Sequence, residues 1–151
     1  MTSGSAPKTA VISGGSSGIG LECARLLAMR GYHVTLLARD EGRLENARRS
    51  LEEAAPGRVA VRRLDVVDAQ DCEAAIAEIL ARNGKIDWLI TSAGMVEPGL
   101  FQDVQLDSHR RQMETNYFGT LNLVAPTARA MAAQGGGRIT MISSGAAFVG
   151  I

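Results

Sequence analysis

The chain has 151 residues, 46% of them hydrophobic and 21% charged; this is ordinary globular usage, fits one domain and excludes a disordered or fibrous chain. Sixteen Lys and Arg balance sixteen Asp and Glu, so the basic surplus of a nucleic-acid binder is missing. No apolar run approaches the ~18 residues that a membrane-spanning helix needs.

Met1 to Lys8 is small and polar and does not read as a secretory signal. Cys23 and Cys72 make no disulfide framework. Both fall among apolar residues of predicted helices and are expected as buried thiols in a reducing cytoplasm. Lys8 to Ser13, carrying Ala10, Val11 and Ile12, stops at glycines and reads as a buried strand. Gly18 to Arg30 places Ile19, Cys23, Leu26 and Leu27 at helical spacing, with Gly31 as its end signal. His33 to Ala38 is a second strand. Asp40 caps a helix bearing Leu44, Ala47 and Leu51 and closing before Pro56-Gly57. Val59 to Val66 is a third strand, and Asp68 caps a helix with Cys72, Ala75, Ile76, Ile79 and Leu80 on one face. Asp87 to Thr91 is a fourth strand. A loop through Gly94, Pro98 and Gly99 leads to a long helix, about Ser108 to Ala133, in which Pro126 is expected to make a kink. Tyr117, Phe118 and Trp88 are expected in the core. Gly135-Gly136-Gly137 breaks the helix, and Arg138 to Ser143 is a fifth strand.

This βαβαβαβαβ order predicts an α/β fold, a doubly wound parallel sheet with right-handed crossovers, in a single domain over residues 1–151. Such sheets bind ligands at the carboxyl ends of their strands, so the residues just after each strand carry the function. The first strand runs into Ser13-Gly14-Gly15-Ser16-Ser17-Gly18-Ile19-Gly20. A glycine-rich turn opening a helix lets the backbone approach a pyrophosphate, which the free N–H groups of the helix start then bind. Ser16 and Ser17 add hydroxyl donors. Gly14 to Gly18 also spells G-x-S-x-G, the shape of a hydrolase nucleophile elbow with Ser16 as nucleophile. That alternative needs a histidine, and only His33 and His109 exist.

After the second strand the first charged residue is Arg39, with Arg43 one helical turn on. An acidic residue there would hold a ribose 2′-hydroxyl, whereas a guanidinium suits a 2′-phosphate and favours NADPH. Asp40 is better explained as the helix cap. Asp65-Val66 stands at the end of the third strand, where a carboxylate can accept from an adenine amino group; a helix-entry cap is the competing account. Ala93-Gly94, after the fourth strand, lets a cofactor lie along the strand ends. Ser144 follows the fifth strand, at the end of the cleft where a hydroxyl faces a substrate carbonyl. Asn116, a modest helix former in mid-helix, invites a polar role.

Together these residues resemble the short-chain dehydrogenase/reductase family over roughly Lys8 to Ile151, with Ser13 in place of the family's threonine and Thr91-Ser92 in place of its paired asparagines. The resemblance implies a Rossmann fold whose first five strands are present, and an NADP-dependent oxidoreductase. It implies that Ser144 polarises a carbonyl and that Asn116 holds a water in a proton relay. The family's Tyr-x-x-x-Lys pair is expected after residue 151, making this chain the first part of a longer enzyme; a non-catalytic cofactor-binding chain is the alternative. Leu36 to Arg39, Ala93 to Met95 and Gly99 to Asp103 are similar to the reductases of 3-ketosphinganine within the family. A sphingoid ketone is the expected substrate and another ketone the alternative. A homo-oligomer is possible in such a family, no nucleic-acid partner is expected, and membrane association would need an anchor after Ile151.

Overall fold

The computed structural model describes residues 7–145. Five parallel strands form one sheet: β1 (Thr9–Ser13), β2 (His33–Ala38), β3 (Val59–Arg63), β4 (Trp88–Thr91) and β5 (Arg138–Met141). Their order is β3-β2-β1-β4-β5. The chain therefore walks outward from β1 to β3, returns across the sheet to β4 and walks outward the other way. The reversal leaves a crevice at the carboxyl ends of β1 and β4, the place where doubly wound sheets bind ligands.

Two cores follow from strand alternation. Ala10, Ile12, Val34, Leu36 and Ile90 face one side and pack with Ala24, Leu27 and Ala28 of helix α1 (Gly18–Met29) and Leu44, Ala47 and Leu51 of α2 (Glu41–Glu52). Val11, Leu37 and Leu89 face the other side. They meet Cys72, Ile76 and Ile79 of α3 (Ala69–Asn83) and Leu123 and Met131 of α5 (Gly119–Ala133). The helix starts at Asp40 and Asp68 are capped as expected: each carboxylate accepts the backbone N–H three residues on, from Arg43 and Asp71, at 2.9 Å.

The structure corrects the expected elements in several places. The third strand stops at Arg63, because Asp65 turns the chain: its Oδ1 accepts the Val67 N–H at 3.2 Å, and its carbonyl accepts the Asp68 N–H at 3.1 Å. The fifth strand stops at Met141, although the Ile142 N–H still reaches the Thr91 carbonyl at 2.9 Å. The long helix starts earlier, as α4 (Leu106–Met113), and is interrupted at Glu114–Phe118 by a π-helical turn. There the Gly119 N–H donates to the carbonyl of Glu114, five residues back. Pro126 lies inside the continuous helix α5. Tyr117 and Phe118 are not core residues; they are 53% and 46% exposed. The buried stripe of this rod is Thr115, Gly119, Leu123, Thr127 and Met131, each four residues apart, and positions 117 and 118 fall off it. Trp88 packs as expected, with Tyr32 at its edge and the Arg138 guanidinium 4.5 Å over its ring.

The two cysteines differ. Cys72 is buried and Cys23 only half-buried. Burial, reinforced by the carboxylates of Asp71, Asp68 and Asp65, pushes the Cys72 thiol up to about 12, and only the thiolate reacts with alkylating agents. In the native protein at pH 8, iodoacetamide should therefore modify Cys23 and spare Cys72, which becomes reactive on unfolding in urea. Mass spectrometry of the two peptides reads this directly; rapid native labelling at Cys72 would contradict the packing.

Candidate functional site

A cleft of about 440 Å³ opens at the carboxyl ends of β1, β2 and β4 and beside the turn after β3. Its floor is the glycine turn. Gly14 has φ +67, a conformation that L side chains rarely adopt. A Cβ on Gly14 would lie 2.8 Å from the backbone of Ser92 and Ala93. The backbone of β1's turn thus lies directly against the end of β4. Gly20 is closed off in the same way, since its Cβ would collide with the Gly14 carbonyl oxygen. Helix α1 can therefore start immediately beneath the turn.

Ser13 is buried. Its Oγ accepts the N–H groups of Ser92 and Ala93 at 3.2 and 3.3 Å. It builds the cleft without lining it. The side chains that line the turn are Ser16, Ser17 and Ile19, with Gly14 and Gly18 as backbone. Ser17 is the residue before α1 and makes no side-chain cap bond. The first N–H groups of α1 are consequently not satisfied by a capping hydroxyl, and the positive end of the helix dipole points at the cleft. An uncapped helix start, two hydroxyls and a turn with no room for a Cβ fit a bound pyrophosphate.

Arg39 and Arg43, both exposed, line the cleft beyond the end of β2. Asp40 lines it too, but its Oδ1 is spent on the Arg43 N–H, and its Oδ2 lies 3.9 Å from the Arg43 Nε. A third guanidinium, missed from the sequence, belongs to this corner: the Arg63 Nε donates to the Arg39 carbonyl at 3.2 Å. Its register partner across the sheet is Ala38, so strand pairing alone brings it there. Asp65 and Val66 line the neighbouring wall, and Ala93 and Gly94 the opposite one. Leu64, Thr115 and Ile142 also line the cleft and were not singled out in the sequence; two apolar residues just past strand ends and a buried helical threonine carry no distinguishing pattern.

Asn116 is exposed on the π turn and outside the cleft lining. Both ends of its amide are engaged. Its Oδ1 accepts the Met95 N–H and its Nδ2 donates to the Met95 carbonyl, each at 2.8 Å. The side chain therefore fixes the loop after β4. Farther along that loop, the buried Ser108 hydroxyl donates to the Glu97 carboxylate, and Arg111 lies 3.3 Å from it. These partners hold the Glu97 carboxyl below the usual range, the Ser108 hydrogen bond first. Ser144 lies three residues past β5, exposed and outside the lining of the cleft.

The nucleophile-elbow alternative finds no base. His33 opens β2, at the amino end of the strands and so away from the cleft, and the His109 ring lies 5.6 Å from that of Phe101. Neither is hydrogen-bonded to Ser16 among the described residues. Among those residues there is also no group of three potential metal ligands, and no helix is long and apolar enough to cross a membrane.

Comparison with known proteins agrees with this geometry. The short chain dehydrogenase family profile matches residues 8–151. Dehydrogenase/reductase SDR family member 7B of Danio rerio is 36% identical over 142 residues, covering 91% of this chain and 46% of that protein. The 3-dehydrosphinganine reductase of Danio rerio is 33% identical over 145 residues, covering 93% of this chain and 44% of that protein. The chain thus spans less than half the length of these relatives. A variant actinorhodin polyketide ketoreductase solved with NADPH superposes with a TM-score of 0.91 at 31% identity, over 96% of this chain and 56% of that one.

The tight approach at Gly14 makes a sharp prediction. Gly14→Ala must move the β1 turn away from Ser92 and Ala93, while Ser16→Ala removes one hydroxyl and leaves the turn's backbone unchanged. Isothermal titration with NADPH should show loss of measurable binding for Gly14→Ala and a drop of less than about 10-fold for Ser16→Ala, the cost of one hydrogen bond.

Proposed function

The chain belongs to the short-chain dehydrogenase family, and on that premise we propose that the protein reduces a ketone with NADPH. The observation that carries this reading is the pair Arg39 and Arg43 lining the cleft, with Asp40 committed to its helix cap. A guanidinium gives a 2′-phosphate bidentate, charge-assisted bonds, and the Asp40 carboxylate already spends one oxygen on the Arg43 N–H of its own helix. The solved relative holding NADPH supports the same choice.

In this reading Gly14, Ser16, Ser17 and the start of α1 hold the pyrophosphate, and Ile19 packs against the cofactor. Asp65 accepts from the adenine amino group and Val66 covers the base. Ala93 and Gly94 leave room for the nicotinamide ribose. The cofactor, when bound, would supply a hydride to the carbonyl carbon, and a general acid outside the described residues would supply the proton that completes the alcohol. The Ser144 hydroxyl donates to the carbonyl oxygen and polarises it, the role of a positioned donor aimed at developing negative charge. Asn116 acts by holding Met95, which keeps the loop along the nicotinamide side in place.

The substrate we propose is the 3-keto group of 3-ketosphinganine. The stretches Leu36 to Arg39, Ala93 to Met95 and Gly99 to Asp103 support it, as does the 33% identity to a 3-dehydrosphinganine reductase. A second reading is reduction of another ketone, since the 36% identical family member 7B protein is named only as a dehydrogenase/reductase.

Two experiments test these statements. Arg39→Ala should weaken NADPH by about 10- to 100-fold, the equivalent of one charged hydrogen bond of ~1.5–3 kcal/mol, and leave NADH nearly unchanged. Equal affinity of the unaltered protein for both cofactors would overturn the choice of NADPH. A steady-state series of ketones of rising chain length should show kcat/KM greatest for 3-ketosphinganine. Turnover of short ketones alone would select the second reading.

A further inference from the structure

We propose that Asn122 is the positioning residue for the adenine side of the cleft. The proposal rests on the reading that Asp65 and Val66 hold the adenine. These two residues lie past the end of β3, so no neighbouring strand orders them. The wall they form is held from α5, which shares a buried core with Val66. The Asn122 Nδ2, on α5, donates to the Val66 carbonyl at 2.9 Å across 56 residues of sequence. The Cys72 thiol lies 3.5 Å from the same oxygen, but a thiol is a weak donor.

The Val66 side chain is fixed by the same helix. At Gly119 a Cβ would lie 2.5 Å from the Val66 Cγ2, so the backbone of α5 lies directly against it. One residue of the cleft lining is therefore gripped at its carbonyl by Asn122 and at its side chain by Gly119. A shift of Val66 carries Asp65 with it, because the two share a peptide bond. Neither Asn122 nor Gly119 lines the cleft. Asn122 therefore acts on the ligand only through Val66.

This role separates the two halves of the dinucleotide. In the full-length protein, Asn122→Ala should weaken 2′,5′-ADP by about 5- to 10-fold, the scale of one lost hydrogen bond, measured by isothermal titration. Inhibition by nicotinamide mononucleotide, which occupies the other half, should change by less than about twofold. Asn122→Asp keeps the shape and removes the donor; it should reproduce the pattern, and it carries the comparison should the alanine variant not fold. Unchanged affinity for 2′,5′-ADP, or equal losses for both fragments, overturns the positioning role. A wild-type protein that binds neither fragment overturns the cofactor reading, and the adenine wall with it.

Discussion

The turn after β1 has no room for a side chain, and the rest of the cleft depends on that. Gly14 must lie against the backbone of Ser92 and Ala93, and Gly20 must lie against Gly14 itself. With both glycines in place, helix α1 starts at the strand end and aims its uncapped N–H groups into the crevice between β1 and β4. Ser13 ties the same two strand ends together through its hydroxyl. A set of donors made of backbone is stiff, because the sheet and the helix already order it.

Charge then grades the cleft. The described corner beyond β2 gathers Arg39, Arg43 and Arg63, while Asp40 is turned into its own helix. Arg63 touches the Arg39 carbonyl, so it fixes the backbone that presents Arg39. Cation on a chain of zero net formal charge is thus concentrated at one corner of the cleft, the corner that the proposed reading gives to a phosphate monoester. An exposed guanidinium there costs little in the free protein, since water solvates it, and gains a bidentate partner on binding.

The rod formed by α4, the π turn and α5 braces both sides of the cleft. Asn116 holds Met95 after β4, and Asn122 holds Val66 after β3. The π turn inserts a residue into the helical ladder at the level of Asn116; π turns of this kind recur at functional sites. The same rod buries a stripe of residues four apart against the sheet. Packing on one face and amide clamps on another tie the position of two irregular loops to a regular element.

Read by itself, the sequence determined the order of strands and helices, because buried strands are short apolar runs and helices repeat at 3.6 residues. It determined the glycine turn, because only glycine serves where the backbone needs φ +67 or a contact without a Cβ. It also determined the caps at Asp40 and Asp68, which are local hydrogen bonds. The tertiary structure alone decided the partners of side chains far apart in the chain. Asn116 meets Met95 across 21 residues, Arg63 meets Arg39 across 24, and Asn122 meets Val66 across 56. Tyr117 and Phe118 have the composition of core residues, yet the π turn leaves them off the buried stripe. Local patterns report what a residue does to its own backbone; which side chain it reaches depends on strand order and helix crossover, and those are properties of the assembled sheet.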